Sequence, residues 1–191
     1  LLGLELEVDV LRRRPDASTV AIVDRLSHIQ RVLRHEVLNL RELMQQMKPV
    51  DLRPAQLLDF LFTTVDKFQR DTGISSRFVS TLQEISLPPR VCNQLARIVQ
   101  EGLVNARKHS GARTVLVHLG QHEGRLRLAI DDDGRGFDFS GRLTLSELDA
   151  IRKGPLIIKE RVRTIGAELV VESVPGKGTR LEVSLPKNTY G

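Results

Sequence analysis

Residues 130–137 read Ile-Asp-Asp-Asp-Gly-Arg-Gly-Phe, IDDDGRGF, directly after the alternating apolar positions Leu126, Leu128 and Ile130. Alternation at period two predicts a strand with one apolar face, so this strand ends in three carboxylates and a Gly134-x-Gly136 turn. Such a turn presents acceptors and bare main chain together. Glycine allows positive φ and close approach of a ligand, and an aspartate at the strand end can accept from an exocyclic amine, which is how a nucleotide base is held. Taken alone, the same pattern fits a calcium loop or an ordinary hairpin turn.

The stretches on either side narrow the reading. Val115, Val117 and Leu119 alternate on a preceding strand, with Gln121 to Gly124 as the hairpin turn between the two. Before them, Pro88 and Pro89 start a helix, Arg90 to His109, with Leu95, Ile98, Val99 and Leu103 facing inward. On that helix Glu101 and Asn105 stand four apart and share a face, and Lys108 and His109 follow in the next turn. A carboxylate and a carboxamide among Ile98, Leu103 and Val104 would be costly if merely buried. Either they are solvated at a helix end, or Asn105 offers its carbonyl oxygen to a magnesium ion that also holds phosphate oxygens, with Lys108 and His109 adding positive charge.

Downstream, residues 138–153 read as a loop, followed by a helix from about Pro155 to Ile165 and two strands, Glu168 to Glu172 and Thr179 to Leu185. Lys153-Gly154-Pro155 leads into that helix, whose free N–H groups could face phosphate. In VPGKGT, Gly176 and Gly178 make a tight turn before Thr179, whose hydroxyl could reach a base or its water; a plain hairpin would use the same residues.

The N-terminal quarter has a different period. Leu1 to Leu11 reads as the tail of a helix ended by Arg12, Arg13, Arg14 and Pro15, and Asp16, Ser18 or Thr19 caps the next. From there Ile22, Leu26, Ile29, Leu33, Val37, Leu40, Met44 and Met47 recur at three- or four-residue spacing, a single apolar stripe on a helix of about seven turns. An antiparallel hairpin that pairs with a second copy into a four-helix bundle would cover such a stripe; so would a globular domain on which the helix packs. Pro49 and Pro54 bracket the boundary segment KPVDLRP. Beyond it, a short amphipathic helix through Leu57, Leu58, Leu61, Phe62 and Val65 leads through Gly73 to a strand around Phe78 and Val79. The expected domains are therefore 1–50, a helical hairpin with its first helix truncated, and 51–188, a two-layer α/β sandwich, in an α+β chain.

Composition limits the partners. The formal charge of +5 arises from 29 basic against 24 acidic residues, intermixed, with four per cent aromatics, one tyrosine and no tryptophan. Nucleic-acid binding is not expected, because single-strand binders need stacking platforms and duplex binders a clustered basic face. The single cysteine, Cys92, excludes an internal disulfide and a multi-cysteine metal site and is expected to be a packing residue. No apolar run reaches the roughly 18 to 20 residues needed to span a bilayer, so no membrane contact is expected of this stretch, and the lone cysteine fits a reducing compartment, so a cytoplasmic location is expected. The chain opens on Leu1, with acids in its first apolar run, which reads as a fragment with any sensing or membrane part upstream.

Together, in this order, the motifs resemble the ATP-binding domain of bacterial sensor histidine kinases, the fold shared with gyrase, MutL-type repair proteins and heat-shock chaperone ATPases. RIVQEGLVNARKHSGA is similar to that family's asparagine box, DDDGRGF to its first glycine box, GPLIIKERV to its second and SVPGKGTRLEVSLP to its third. The nitrate-sensor-like branch is closest, and MKPVDLRP is similar to its junction between dimerisation hairpin and ATP domain. The resemblance implies that Asp132 accepts the adenine amino group, Gly134 and Gly136 turn beneath the base, Asn105 ligates magnesium and Lys108, with His109, contacts phosphate. It implies that Gly154 is the hinge of the ATP lid, that Gly176, Gly178 and Thr179 close the adenine pocket, and that Glu101 supports catalysis. It also implies ATP and Mg2+, a homodimer through the N-terminal helices and a response-regulator receiver domain as partner.

Two departures stand out. Arg152 occupies the first glycine position of the second glycine box, and Pro155 follows Gly154. No histidine box is present either. His35-Glu36 imitates one, but the roughly 70 positions from His35 to Asn105 are already filled by the second hairpin helix, the junction, a helix and a strand. His35 is thus expected to be a solvated residue of the second hairpin helix and His28 to be structural; LLGLELEVDVL resembles the run that follows a histidine box in this branch, which implies a phosphoacceptor just upstream of Leu1. An anti-sigma-type serine kinase would share the nucleotide boxes without needing the 22–47 stripe. A nucleotide-binding or dimerisation module without catalysis would need no acceptor histidine, in keeping with the missing histidine box.

Overall fold

The structure, a computed structural model, describes residues 23–33, 37 and 52–185. The chain divides into two units, Leu1–Lys48 and Pro49–Gly191. In the first, residues 23–33 and Val37 are helical, with Ile29 buried and Val23, Leu26, Leu33 and Val37 exposed. The expected remnant of a first helix, the cap, the rest of the 22–47 stripe, most of the KPVDLRP junction and His35 fall outside the described residues.

In the second unit, a one-turn 3-10 helix, Pro54–Gln56, leads into α1, Leu57–Thr72. Leu57, Leu61 and Val65 recur every four residues and are buried, so one stripe of α1 meets the sheet. Gly73 ends the helix, its N–H donating to the Gln69 carbonyl at 2.8 Å. β1, Ser75–Ser80, follows, then α2, Pro89–Asn105, with Pro at its first position, where no N–H is needed. The expected helix to His109 is in fact α-helical only to Asn105; Ala106–Ser110 widen into a π turn. Such turns remove one hydrogen bond from the regular ladder and are frequent at functional sites.

β2, Thr114–His122, and β3, Arg125–Asp132, form the expected hairpin. Residues 138–153 are not the plain loop expected: they contain β4, Gly141–Thr144, and α3, Leu145–Ala150. The signal was Thr144-x-x-Glu147, a capping box in which the Thr144 N–H donates to the Glu147 carboxylate at 2.7 Å and the Glu147 N–H donates to the Thr144 hydroxyl at 3.4 Å. α4, Leu156–Thr164, β5, Glu168–Ser173, and β6, Thr179–Ser184, complete the unit.

The strands form one six-stranded sheet in the order β1-β2-β3-β6-β5-β4, with β1 parallel to β2 and every other pair antiparallel. Val117 pairs with Ile130 and Leu119 with Leu128, and all four are buried with α1, α2 and α4 residues in one core. The fold is therefore α+β, two layers, with its core between sheet and helices. Cys92 is wholly buried in that core as a free thiol, and burial raises its pKa.

Candidate functional site

The alternation that buries Leu126, Leu128 and Ile130 continues to Asp132, the last residue of β3, so its side chain falls on the helix-covered face. There it is half-buried at the rim of a cavity of about 670 Å³, a volume suited to a small-molecule ligand. Gly102 and Asn105 of α2 form one wall, and Gly154, Pro155 and Ile158 at the start of α4 another. Ile130 and Leu181 make an apolar floor from β3 and β6, and Thr179, which pairs with Asp132 across those strands, stands at its edge.

The three consecutive carboxylates separate into three environments. Asp131 points to the opposite sheet face and pairs with Arg180 at 2.9 Å. Asp133 accepts the N–H groups of Arg113 and Thr114, both at 2.8 Å, and these bonds hold its pKa below the usual aspartate range. Asp132 accepts the Gly134 N–H at 2.9 Å, yet burial outweighs that bond and a further one from Ser110, and raises its pKa. Asp132 is thus the one of the three presented to the cavity.

The glycine turns are locked to one another rather than lying loose at the rim. Gly176 N–H donates to the Arg135 carbonyl at 2.7 Å, joining the VPGKGT turn to the DDDGRGF turn. Ser173, fully buried, accepts the Phe137 N–H at 2.8 Å and donates to the Gly178 carbonyl at 3.2 Å. Gly136, at φ +70°, fits there because a Cβ would meet the Ser173 hydroxyl at 2.7 Å. Phe137 and Phe139 stack with ring centroids 5.5 Å apart.

At the other side, α3 and the turn after it are held by charge. Buried Lys159 donates to the Lys153 carbonyl at 2.9 Å and pairs with Asp149 at 2.9 Å, which also pairs with Arg163. Lys153 pairs with Asp138, a cavity residue, and lowers its pKa. Arg152 adopts φ +54°, the left-handed conformation that the expected glycine would supply without strain. Its N–H bonds the Asp149 carbonyl at 3.1 Å and the Lys153 N–H bonds the Leu148 carbonyl at 2.9 Å, closing α3 as a glycine C-cap would.

Of the residues singled out in the sequence, Asn105, His109, Asp132, Gly136, Gly154 and Thr179 line the cavity. Gly134, Gly176 and Gly178 shape its rim through the backbone. Lys108 is exposed and does not line it; Glu101 does not either, being buried beside Arg161 of α4. His28 is exposed on the 23–33 helix. Sequence reasoning passed over Ser110, Arg135, Asp138 and Ser173. Ser110 had a signal, as the last polar residue before Gly111 ends the π turn; Ser173 had none, because its role depends on a β5 register that brings it to two other loops.

No cluster of three or more His, Cys, Asp or Glu suited to a metal occurs among the described residues. A half-buried carboxylate acceptor, a hydroxyl, an amide and a histidine around an apolar floor suit a ligand with a flat apolar face and polar edges.

Comparison with known proteins agrees with that geometry. The family of histidine kinase-, DNA gyrase B- and HSP90-like ATPases matches residues 91–189. The chain is 33% identical over 171 residues to the sensor histidine kinase LiaS of Bacillus subtilis, covering 90% of this chain and 44% of that protein. It is 29% identical over 160 residues to the sensor protein VraS of Staphylococcus epidermidis, covering 84% of this chain and again 44% of the relative. The chain thus spans less than half the length of these relatives. Among solved structures, the histidine kinase domain of a blue-light activated histidine kinase from Erythrobacter litoralis superposes with a TM-score of 0.57 at 21% identity, covering 98% of this chain and 94% of that one. The ATP binding domain of PrrB from Mycobacterium tuberculosis gives 0.54 at 22% identity, covering 72% of this chain and 98% of that one. The sheet order, the cavity and the match over residues 91–189 place this chain in the family of histidine kinase-, DNA gyrase B- and HSP90-like ATPases.

Proposed function

We propose that this chain is the transmitter portion of a two-component sensor histidine kinase, which binds Mg-ATP and passes the γ-phosphoryl group to a histidine and then to a response-regulator receiver domain. The single observation that carries the reading is the convergence of Asp132, Thr179 and Asn105, from three separate elements, on one cavity. Asp132 accepts the adenine amino group, and the locked Gly134–Gly136 and Gly176–Gly178 turns form the base's edge. Asn105 is the residue that would hold magnesium, whose charge, when bound, neutralises the phosphate oxygens. His109 on the π turn, Lys108 beside it and the N-terminus of α4 add positive potential along the phosphates, and Gly154 serves as the hinge there. Glu101 has a supporting role. Catalysis is then positioning and charge neutralisation.

The relatives named sensor histidine kinases support the phosphotransfer reading. A homodimer through residues 1–50, with residues 51–188 as the ATP-binding domain, is supported by the exposed apolar positions Leu26, Leu33 and Val37, seven and four residues apart on the described helix. No helix among the described residues is long and apolar enough to cross a membrane, in keeping with a cytoplasmic portion of a protein anchored elsewhere.

Calorimetric titration with a non-hydrolysable ATP analogue, with and without magnesium, tests the site. Micromolar binding that magnesium strengthens, with the magnesium effect lost in Asn105→Ala, is the expected result. A chain that binds the analogue equally well with and without magnesium rules out the role given to Asn105, and absence of binding rules out the function.

A further inference from the structure

α2 and α4 meet along a charged seam. Gln94, Arg97 and Glu101 recur at i, i+3 and i+7 and so share one face of α2. Arg161 of α4 meets that face twice: its Nη1 donates to Gln94 Oε1 at 3.2 Å, and its Nη2 lies 3.8 Å from Glu101 Oε1. Glu101 is 5% exposed and Arg97 9%, while the Arg161 side chain is 25% exposed and its Nε is buried with no hydrogen-bond partner among the described residues. The Glu101 carboxylate therefore lies against Arg161 and within the field of Arg97, whose Nη1 donates to Gln100 Oε1 at 3.1 Å. Burial and then the charge of Arg161 pull the Arg97 pKa down, and Glu101 acts in the opposite sense. Losing the carboxylate would leave two like charges opposed across the helix interface.

The seam stands directly behind the cavity. Gly102, the residue after Glu101, and Asn105 one turn on form one wall; Gly154, Pro155 and Ile158 of the α4 end form the facing one. Glu101 itself is turned into the seam and does not line the cavity.

We propose that Arg161 and Glu101 are positioning residues whose ion pair clamps α4 onto α2, setting the spacing of the two cavity walls. The ligand in this inference rests on the Mg-ATP reading; the clamp rests on the helix contact alone.

Glu101→Gln, Arg161→Gln and the double variant of the whole chain are compared by hydrogen exchange without nucleotide, and by titration with a non-hydrolysable ATP analogue plus magnesium. Each single substitution is expected to speed exchange across residues 156–164 by about tenfold and to weaken affinity by a similar factor. The double variant, in which two neutral amides face each other, is expected to be no worse than either single one. Simple addition of the two effects in the double variant overturns the clamp, as does unaltered exchange in both single variants. If Glu101→Gln fails to fold, recovery of the fold in the double variant supports the clamp and its failure there overturns it. Absence of analogue binding by the unsubstituted chain would remove the nucleotide reading, while the exchange rates still judge the clamp.

Discussion

Gly178 lies flat on the backbone of Asp132: a Cβ at Gly178 would collide with the Asp132 carbonyl oxygen and come within 3.0 Å of the Asp133 Cα. The third glycine turn is thus seated on the strand end that carries Asp132. At φ +95° the position also disfavours any side chain. Gly178→Ala should cost about 2 kcal/mol or more of stability and weaken ATP-analogue binding by roughly tenfold or more, since strain and overlap fall on the same peptide. Urea unfolding and calorimetry on one preparation check both; an alanine variant that unfolds and binds as before would show that the two turns are not seated on each other.

Asp132 should show opposed effects on stability and binding. Burial raises its folded-state pKa above the unfolded value, so its contribution to stability is full below the ordinary aspartate range and is lost as pH rises through the raised value. At neutral pH the ionised group is therefore a liability to the fold. Asp132→Asn keeps an acceptor for the Gly134 N–H and should gain about 1 kcal/mol at pH 7, a gain that shrinks towards pH 3. ATP-analogue affinity should drop by roughly ten- to a hundredfold, because the amide no longer offers a charged acceptor. Thermal melts between pH 3 and 8 test the first half; unchanged affinity would remove the adenine assignment.

Asp133 should behave with the opposite sign. Its bonds to the Arg113 and Thr114 N–H groups lower its folded pKa, so its contribution is present above the ordinary aspartate range and lost as pH falls through the lowered value. Asp133→Ala should cost about 1 kcal/mol at pH 7, the scale of a lost cap at an exposed site. The difference between variant and parent should begin to shrink near about pH 4 and close only below the lowered folded value, and ATP-analogue affinity should stay within about twofold. A pH-independent loss would mean that the carboxylate charge plays no part.

Arg152 is a non-glycine residue at φ +54° in a position where the family motif has glycine. Arg152→Gly should relieve about 1 kcal/mol of left-handed strain, offset in part by glycine's looser unfolded chain, for a net gain of about 0.5 kcal/mol. A melt that moves down instead would show that the arginine side chain holds the turn by contacts stronger than its strain.

The sequence by itself determined the α+β class, the β2–β3 hairpin, the inward stripe of α2 and the order of the four boxes, because each depends on local periods and residue spacing that survive without knowledge of partners. It also placed Asn105, Asp132 and Thr179 in one site, through motif order. Tertiary structure alone decided which partner each of three adjacent aspartates meets: Arg180 of β6 pairs with Asp131, the Arg113 and Thr114 N–H groups claim Asp133, and Asp132 is left at the cavity. It alone turned Glu101 towards Arg161 instead of the cavity, since a helix face chooses its neighbour by packing and not by sequence spacing. And it alone showed that Arg152 keeps the glycine's backbone conformation, because φ is set by the α3 C-terminal hydrogen bonds and the ion pairs around Lys159, all contacts between residues whose meeting no local pattern encodes.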